Sequence, residues 1–229
     1  METYKRSVVM AYLNSNTLLK ILPYLRGRTF SIQKVADSTG LPGETVIEVL
    51  SPLIEQNYLE IDEDKVFVKK NSIPILSIQA LKAGASFNEI LKLVGWQDFE
   101  DFVHNLVLEY GFTSFKNYRV KEPRVEIDVL ALKGSFGLVI DCKQWHKVLG
   151  GSDLDRVVAK QISRAKVLLA IDKNLLKDKV LVPVIVTLLP SSERYYYGVP
   201  IVPCEMFKSF VGEIDGRLSE VLTISRESV

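Results

Sequence analysis

Apolar residues recur every three to four positions through the first quarter of the chain, which is the spacing of amphipathic helices. Ser31 is a favoured helix N-cap, Gly40 ends the helix that follows it, and Pro42 stands where the next helix begins. Two short strand-like runs around the turn 62–64 then predict a β-hairpin. The predicted elements are helices over 2–13, 17–25, 31–40 and 42–56 and strands over 58–61 and 65–69.

From Trp96 onward, apolar runs of strand length alternate with longer stretches of helical spacing. This alternation predicts an α/β domain with a mixed sheet flanked by helices. Before it, Ser86 and Glu89 form a capping-box pattern that opens a helix reaching Val94. The predicted elements of the α/β region are a helix over 97–110, strands over 112–118, 125–132 and 136–143, a helix over 154–169 capped by Ser152 or Asp153, strands over 181–189 and 195–202, and a final helix or two from Glu205.

The order helix, turn, helix, hairpin in the first region is typical of a winged helix. The stretch SIQKVADSTGLPGETVIEVLSPLIEQNYLE also resembles the winged helices of many archaeal and bacterial regulators. We therefore predict an N-terminal winged-helix domain over 1–71, a helical connector over 72–95 and an α/β domain over 96–229.

The second helix of this motif carries Glu44, Glu48 and Glu55 on its solvent face. These carboxylates disfavour direct reading of DNA bases, because the surrounding phosphates are also negative. Two interpretations stay open: the wing grips the DNA backbone without sequence preference, or the domain is a dimerisation or protein-docking surface. The lysines of the wing are Lys65, Lys69 and Lys70.

Composition narrows the class of protein. The 229 residues are 47% hydrophobic and the formal net charge is +1, so any nucleic-acid contact must come from local basic patches. The N-terminus has no signal-peptide pattern, and the apolar run 180–189 is too short to span a membrane. The two cysteines, Cys142 and Cys204, fit a reduced cytoplasm and are predicted to be buried rather than disulfide-bonded.

The strongest chemical signal lies at the ends of two neighbouring predicted strands. Asp141 and Lys143 close the run GLVIDCK, and residues two apart on a strand point to the same face. A tight turn at 133–135 would bring Asp128, from VEIDVLAL, alongside them. Two carboxylates and one ammonium at one end of a sheet can hold a divalent metal and attack a phosphodiester.

These residues also resemble the PD-(D/E)XK, or restriction-endonuclease-like, nuclease superfamily. The resemblance covers about 110 residues and is nearest to archaeal Holliday-junction resolvases and Mrr- and RecB-like nucleases. Ile127 replaces the proline of the motif, and Ala165 stands where RecB-like members have a tyrosine, which disfavours that exonuclease subgroup. The matching positions are Glu100 in FEDFVHNLVLEYGF, Gly111 and Phe112 after it, Asp128, Asp141 and Lys143, and Gln161 in the following helix.

The resemblance implies a catalytic set of Glu100, Asp128, Asp141, Lys143 and Gln161. Asp128 and Asp141 would hold Mg²⁺ or Mn²⁺ with the backbone carbonyl of Cys142, and Glu100 would complete the site through water. Lys143 would orient the attacking water or stabilise the transition state. Cleavage would then leave a 5′-phosphate and a 3′-hydroxyl. Glu126, on the face of Asp128, is a candidate accessory ligand.

A basic segment before the second strand is a candidate nucleic-acid grip. Basic side chains contact phosphates, and the interleaved Phe115 and Tyr118 could stack on bases, although an ordinary solvated loop is the alternative. The candidate contacts are Lys116, Arg119, Lys121, Arg124 and Lys147, with Arg156, Lys160 and Arg164 as extensions.

The chain has no GxxxxGK loop and no zinc-type Cys/His spacing, so we expect no nucleotide cofactor. The sequence predicts a cytoplasmic, homodimeric, metal-dependent DNA endonuclease with no membrane partner. A DNA-associated regulator or scaffold with a non-catalytic nuclease-like domain, and an RNA-processing nuclease, remain as alternatives.

Overall fold

The computed structural model describes residues 15–25, 27–69, 72–82, 84–86, 90, 96–143, 151–188 and 190–228. The chain divides into two compact units, Met1–Asp98 and Phe99–Val229. The predicted helix over 2–13 and most of the predicted helix over 86–94 lie outside the described residues.

The first unit packs short helices against a small antiparallel sheet. Its elements are α1 Ser15–Leu25, β1 Thr29–Ser31, α2 Ile32–Thr39, α3 Gly43–Glu55, β2 Leu59–Asp62, β3 Lys65–Val68 and α4 Ser72–Lys82. The strand order of the sheet is β1-β3-β2. Short strand β1 was not predicted from the sequence, whereas the other helices and strands of this unit lie within about two residues of their predicted positions or within the predicted connector.

The predicted caps of α2 are confirmed. The Lys34 backbone N–H donates to the Ser31 side chain at 3.1 Å, and Gly40 ends the helix in the left-handed conformation. Asp64 joins this end from the turn between β2 and β3, since its carboxylate accepts from the Ser31 hydroxyl and from the Gln33 backbone N–H. Those two bonds hold the pKa of Asp64 below its usual value and fix the hairpin turn onto the start of α2.

The second unit is an α/β structure with a six-stranded mixed sheet, and its first helix begins three residues before the boundary at Phe99. Its elements are α5 Trp96–Glu109, β4 Thr113–Val120, β5 Val125–Lys133, β6 Phe136–Lys143, α6 Gly151–Ile171, β7 Val180–Thr187, β8 Tyr195–Tyr196, β9 Val199–Pro203 and α7 Cys204–Glu213, followed by 3₁₀ turns at Ile214–Gly216, Leu218–Glu220 and Arg226–Ser228. The strand order is β4-β5-β6-β7-β9-β8. The strands β4, β5 and β6 pair antiparallel, β6, β7 and β9 pair parallel, and β8 returns antiparallel to β9.

Helix α6 packs against β5, β6 and β7, and α7 packs against β7 and β9. Strands β6 and β7 are buried along almost their whole length, which explains their continuous apolar sequences. Helix α6 is buried along one stripe with the three- and four-residue spacing of an amphipathic helix. The members of that stripe are Leu154, Val158, Gln161, Ala165, Leu168 and Leu169.

Two predicted boundaries were wrong. The predicted single strand over 195–202 is a hairpin, because Tyr197 and Gly198 both have positive φ (48° and 76°) and form a tight turn between β8 and β9. Helix α6 begins at Gly151, so the predicted caps Ser152 and Asp153 lie within its first turn. There Asp153 suits the positive end of the helix dipole and binds Arg156 at 2.7 Å.

A side chain at Gly137 of β6 should force neighbouring leucine side chains to shift. A Cβ atom there would lie 2.6 Å from Leu132 Cδ2 and 3.0 Å from Leu181 Cδ2, inside the core. We expect Gly137→Ala to lower the free energy of unfolding by about 1–3 kcal/mol, measured by urea denaturation. The control Gly216→Ala, with no atom within 4 Å of the new Cβ, should change it by less than about 0.5 kcal/mol. Equal effects of the two substitutions would contradict this packing.

Candidate active site

Strand register brings two aspartates together. The paired residues of β5 and β6 run from Lys133 and Phe136 to Val129 and Ile140, so Asp128 and Asp141 are the next residues along the two strands. The Cys142 backbone N–H donates to Asp128 Oδ2 at 2.8 Å, which ties the side chain of one strand to the backbone of the other. The turn between β5 and β6 therefore does what the sequence predicted.

Asp141 is a buried carboxylate, 2% exposed, held by two cations. Lys143 Nζ lies 2.9 Å from Oδ1 and 2.8 Å from Oδ2, so one ammonium bridges both oxygens. Arg164 Nη1 of α6 lies 2.5 Å from Oδ1. Burial of an ionised carboxylate is costly without such partners, and these two contacts compensate its charge.

Gln161 fastens this arrangement to the sheet. Its Nε2 donates to the carbonyl oxygens of Val139 in β6, at 2.6 Å, and Val184 in β7, at 3.2 Å. Its Oε1 accepts from Arg164 Nη1 at 3.1 Å. Both ends of the amide thus bind protein groups, so the geometry supports a positioning role for Gln161 within the predicted catalytic set.

The second carboxylate and its neighbour resist ionisation. Burial, followed by repulsion from Asp141, raises the pKa of Asp128. Burial, followed by repulsion from Asp128, raises the pKa of Glu100 on α5. Three predicted acidic site residues are therefore electrostatically linked at one end of β5 and β6.

The carboxylate oxygens of Asp128 and Asp141 suit Mg²⁺ or Mn²⁺, which keep several waters, better than a metal whose ligands all come from the protein. Among the residues that the structure describes, no three His, Cys, Asp or Glu side chains form a ready-made metal cluster. Within the described part of the chain, Asp128 Oδ2 is used by Cys142 and Asp141 Oδ1 by Arg164, so a cation would bind Asp128 Oδ1 and would have to displace Lys143 from Asp141 Oδ2. Mg²⁺ is commonly held by one or two carboxylates and keeps several waters.

Cys142 takes part through its backbone. Its side chain is buried, and burial raises the pKa of its thiol well above the usual value, so a reactive thiolate is disfavoured. Cys204 is likewise a free, buried cysteine. A metal contact through the Cys142 carbonyl stays a prediction.

The candidate grip separates into two parts. Lys116 is ion-paired with Asp101 of α5. Arg119 binds Glu126, the candidate accessory ligand, at 2.8 Å. Lys121 and Arg124 lie exposed in the turn between β4 and β5. Whether these side chains contact nucleic acid stays a prediction.

The interleaved aromatics of this segment face the protein. Phe115 and Tyr118 contact each other edge-to-face and pack against the core cluster beneath α6. Burial, together with the hydrogen bond that Tyr118 donates to the Asp172 carboxylate, raises the pKa of this tyrosine to about 12. These contacts favour packing over base stacking for both rings.

In the first unit, Lys69 binds Glu60 at 2.6 Å, whereas Lys65 is exposed. The predicted contacts Lys70 and Lys147 lie outside the described residues. Arg164 was predicted only as an extension of the basic patch, yet it contacts Asp141 directly. The signal for it was its spacing from Gln161, because residues three apart on a helix share a face.

No family model matches the chain. It is 30% identical over 128 residues to a protein of Archaeoglobus fulgidus that is described as uncharacterized, and this match covers 55% of this chain and 95% of the relative. The chain belongs to the same family as this archaeal protein.

Two solved structures are similar to the chain at low scores. The protein VC1899 from Vibrio cholerae gives a TM-score of 0.35 at 15% identity, covering 91% of this chain, which in turn spans about half (53%) of VC1899. The small subunit R.BspD6I2 of the heterodimeric restriction endonuclease R.BspD6I gives 0.34 at 13% identity, covering 64% of this chain and 79% of that subunit. At such scores neither likeness supports a statement about activity.

None of the helices within the described ranges is both long and apolar enough to cross a lipid bilayer.

Neutralising Asp128 should stabilise the protein. With a raised pKa, the native state keeps a proton that the unfolded chain has lost, so stability falls as pH rises from the ordinary Asp value, about 4, through the raised value. We expect Asp128→Asn to raise Tm at pH 7 and to lose this advantage towards pH 3, measured by calorimetry across pH. The exposed control Asp178→Asn should show no such trend; a lower Tm for Asp128→Asn at pH 7 would contradict the electrostatic account.

Proposed function

We propose that this protein is a metal-dependent endonuclease that hydrolyses phosphodiester bonds of DNA. The observation that carries the proposal is the pairing of Asp128 and Asp141 at the end of two adjacent strands, with Lys143 on the same carboxylate. The motif resemblance to PD-(D/E)XK nucleases supports it, because these are the positions that match that superfamily. The mixed sheet flanked by helices is compatible with that fold.

In this proposal Asp128 and Asp141 would hold Mg²⁺ or Mn²⁺, and Glu100 would add negative charge beside it. A bound ion neutralises charge on the phosphate and lowers the pKa of a coordinated water. Lys143 is one-third exposed and can turn from Asp141 Oδ2 to donate hydrogen bonds to the attacking water or to a phosphate oxygen. Arg164 and Gln161 keep the Asp141 carboxylate in place while Lys143 moves.

We also propose that the first unit is a winged helix. The order α1-β1-α2-α3-β2-β3 and the sheet order β1-β3-β2 support this assignment. Its helix α3 has exposed Glu44, Glu48 and Glu55, which disfavours insertion into a groove of DNA. Phosphate contacts by Lys65 of the hairpin, or pairing of two protomers through this unit, remain the two roles to be separated.

One observation favours a second candidate, a DNA-associated scaffold without activity. The charge of Asp141 is already compensated by Lys143 and Arg164, so this carboxylate is satisfied without a metal. Asp128 and Glu100 favour the enzyme instead. Their pKa values are raised, so a nearby cation would stabilise their ionised forms.

Cleavage assays decide between these functions. We expect the protein to cut at least one member of a panel of branched, single-stranded and duplex DNA in Mg²⁺ or Mn²⁺, and EDTA to abolish cutting. Asp141→Asn and Lys143→Ala should each reduce the rate by roughly a hundredfold or more, because the first removes a charged metal ligand and the second a cation that stabilises the transition state. The matched surface variants Asp178→Asn and Lys208→Ala should cut at the wild-type rate.

The same panel includes the corresponding RNA molecules. If the protein binds DNA without EDTA-sensitive cleavage, it is a scaffold and not an endonuclease. If it cleaves RNA alone, its substrate is RNA and not DNA. Cutting that survives Asp141→Asn would remove the proposed site.

The exposed turn between β4 and β5 should contribute to DNA affinity through phosphates. We expect the double variant Lys121→Ala/Arg124→Ala to weaken DNA binding and to reduce the slope of log affinity against log salt by roughly two, because two phosphate contacts are lost. Fluorescence anisotropy across salt concentrations measures this slope. An unchanged slope, equal to that of the control Lys177→Ala/Lys208→Ala, would exclude this turn from the interface.

A further inference from the structure

Arg164 is part of helix α6, and its side chain reaches from the helix to the aspartate pair. Phosphodiester hydrolysis as proposed above requires no reacting group at this position. Its side chain is 17% exposed. Its Nη1 donates to Asp141 Oδ1 at 2.5 Å and to Gln161 Oε1 at 3.1 Å. A charged side chain this enclosed, with two defined acceptors, has a fixed position rather than a solvated one.

The two oxygens of Asp141 have different partners. Oδ1 is contacted by both Arg164 and Lys143, whereas the one cation that contacts Oδ2 among the described residues is Lys143. Lys143 is 33% exposed and has a flexible stem, so it can leave the carboxylate. Arg164 cannot leave as easily, because Gln161 holds it and is itself bound to the backbone of β6 and β7.

We propose that Arg164 is a positioning residue that permanently occupies Oδ1 of Asp141 and whose fixed charge weakens divalent-cation binding at the aspartate pair. The inference rests on the metal site of the proposed function. In this arrangement the cation competes with Lys143, which can turn towards solvent, and Arg164 orients the carboxylate while it repels the incoming charge.

Removal of the Arg164 charge should therefore tighten metal binding. Without Arg164 the Asp141 side chain loses one partner but stays at the site, because the residue lies within buried strand β6. Loss of a positive charge at short range from the cation then dominates, and in a partly buried site this effect is large enough to measure.

The test is Mn²⁺ affinity by calorimetric titration, without nucleic acid, across a charge series at position 164. We expect Arg164→Gln and Arg164→Met to bind Mn²⁺ roughly three to ten times more tightly than the wild type. Arg164→Lys keeps the charge and should bind within about twofold of the wild type. Far-UV circular dichroism and the metal-free Tm identify folded variants. If Arg164→Met does not fold, Arg164→Gln still compares a neutral side chain with the wild type, because its amide can donate to Asp141.

A matched control removes a cation elsewhere on the same helix. Arg156 of α6 is 78% exposed and pairs with Asp153, two turns before Arg164. Eight helical residues span about 12 Å, beyond the screening length of about 10 Å in 0.1 M salt. Arg156→Met should therefore leave Mn²⁺ affinity unchanged.

Three outcomes overturn the inference. If neutral residues at position 164 weaken Mn²⁺ binding in proportion to the Tm that they lose, Arg164 acts through stability alone. If the wild type binds no Mn²⁺, the aspartate pair is not a metal site, and both this inference and the proposed enzyme fail. A wild type that cleaves DNA but shows no charge dependence of Mn²⁺ affinity keeps the proposed function and loses this inference. A protein that cleaves nothing, yet binds Mn²⁺ more tightly after Arg164→Gln, keeps this inference and loses the proposed function.

Discussion

Burial of two like charges at the end of neighbouring strands is the constraint on which the rest of the second unit depends. Two unit charges about 4 Å apart repel by about 4 kcal/mol at the effective dielectric of a partly buried site. The protein offsets this repulsion with one backbone N–H on Asp128 and two cations on Asp141. Those partners come from β6 and α6, so the charges at the strand ends add a polar connection between the helix and the sheet.

Helix α6 meets this requirement with a polar residue inside its apolar stripe. Gln161 occupies a position between Val158 and Ala165 where the packing pattern favours an apolar side chain. It is nevertheless fully hydrogen-bonded, to carbonyls of β6 and β7 and to Arg164, so its burial costs little. The amide converts the general contact between helix and sheet into a defined position for the guanidinium.

The sequence was sufficient to predict the aspartate pair, because two strand-length apolar runs, VEIDVLAL and GLVIDCK, are joined by the short turn at 133–135, which determines the register of β5 and β6. The role of Arg164 could not be predicted in the same way, since it depends on the rotation of α6 over the sheet. The hairpin of β8 and β9 escaped prediction because Tyr197 takes the left-handed position before Gly198, where Asn or Asp is usual. Consecutive tyrosines favour a continuous strand, so local propensity fails where a bulky residue accepts an unfavourable backbone conformation.

The charge distribution around the aspartates is uneven, and this unevenness indicates where a metal would be needed. Asp141 has two cationic partners, but Asp128 has only the Cys142 backbone N–H in direct contact within the described residues. Glu100 adds a further negative charge on the Asp128 side, and both acids have raised pKa values. A divalent cation would therefore gain most from the oxygens of Asp128 and its neighbourhood, with Asp141 as a ligand already oriented by Arg164. On this argument the strand-end lysine and the helix arginine are alike in charge but distinct in role, because one can move away from the carboxylate and the other is held in place.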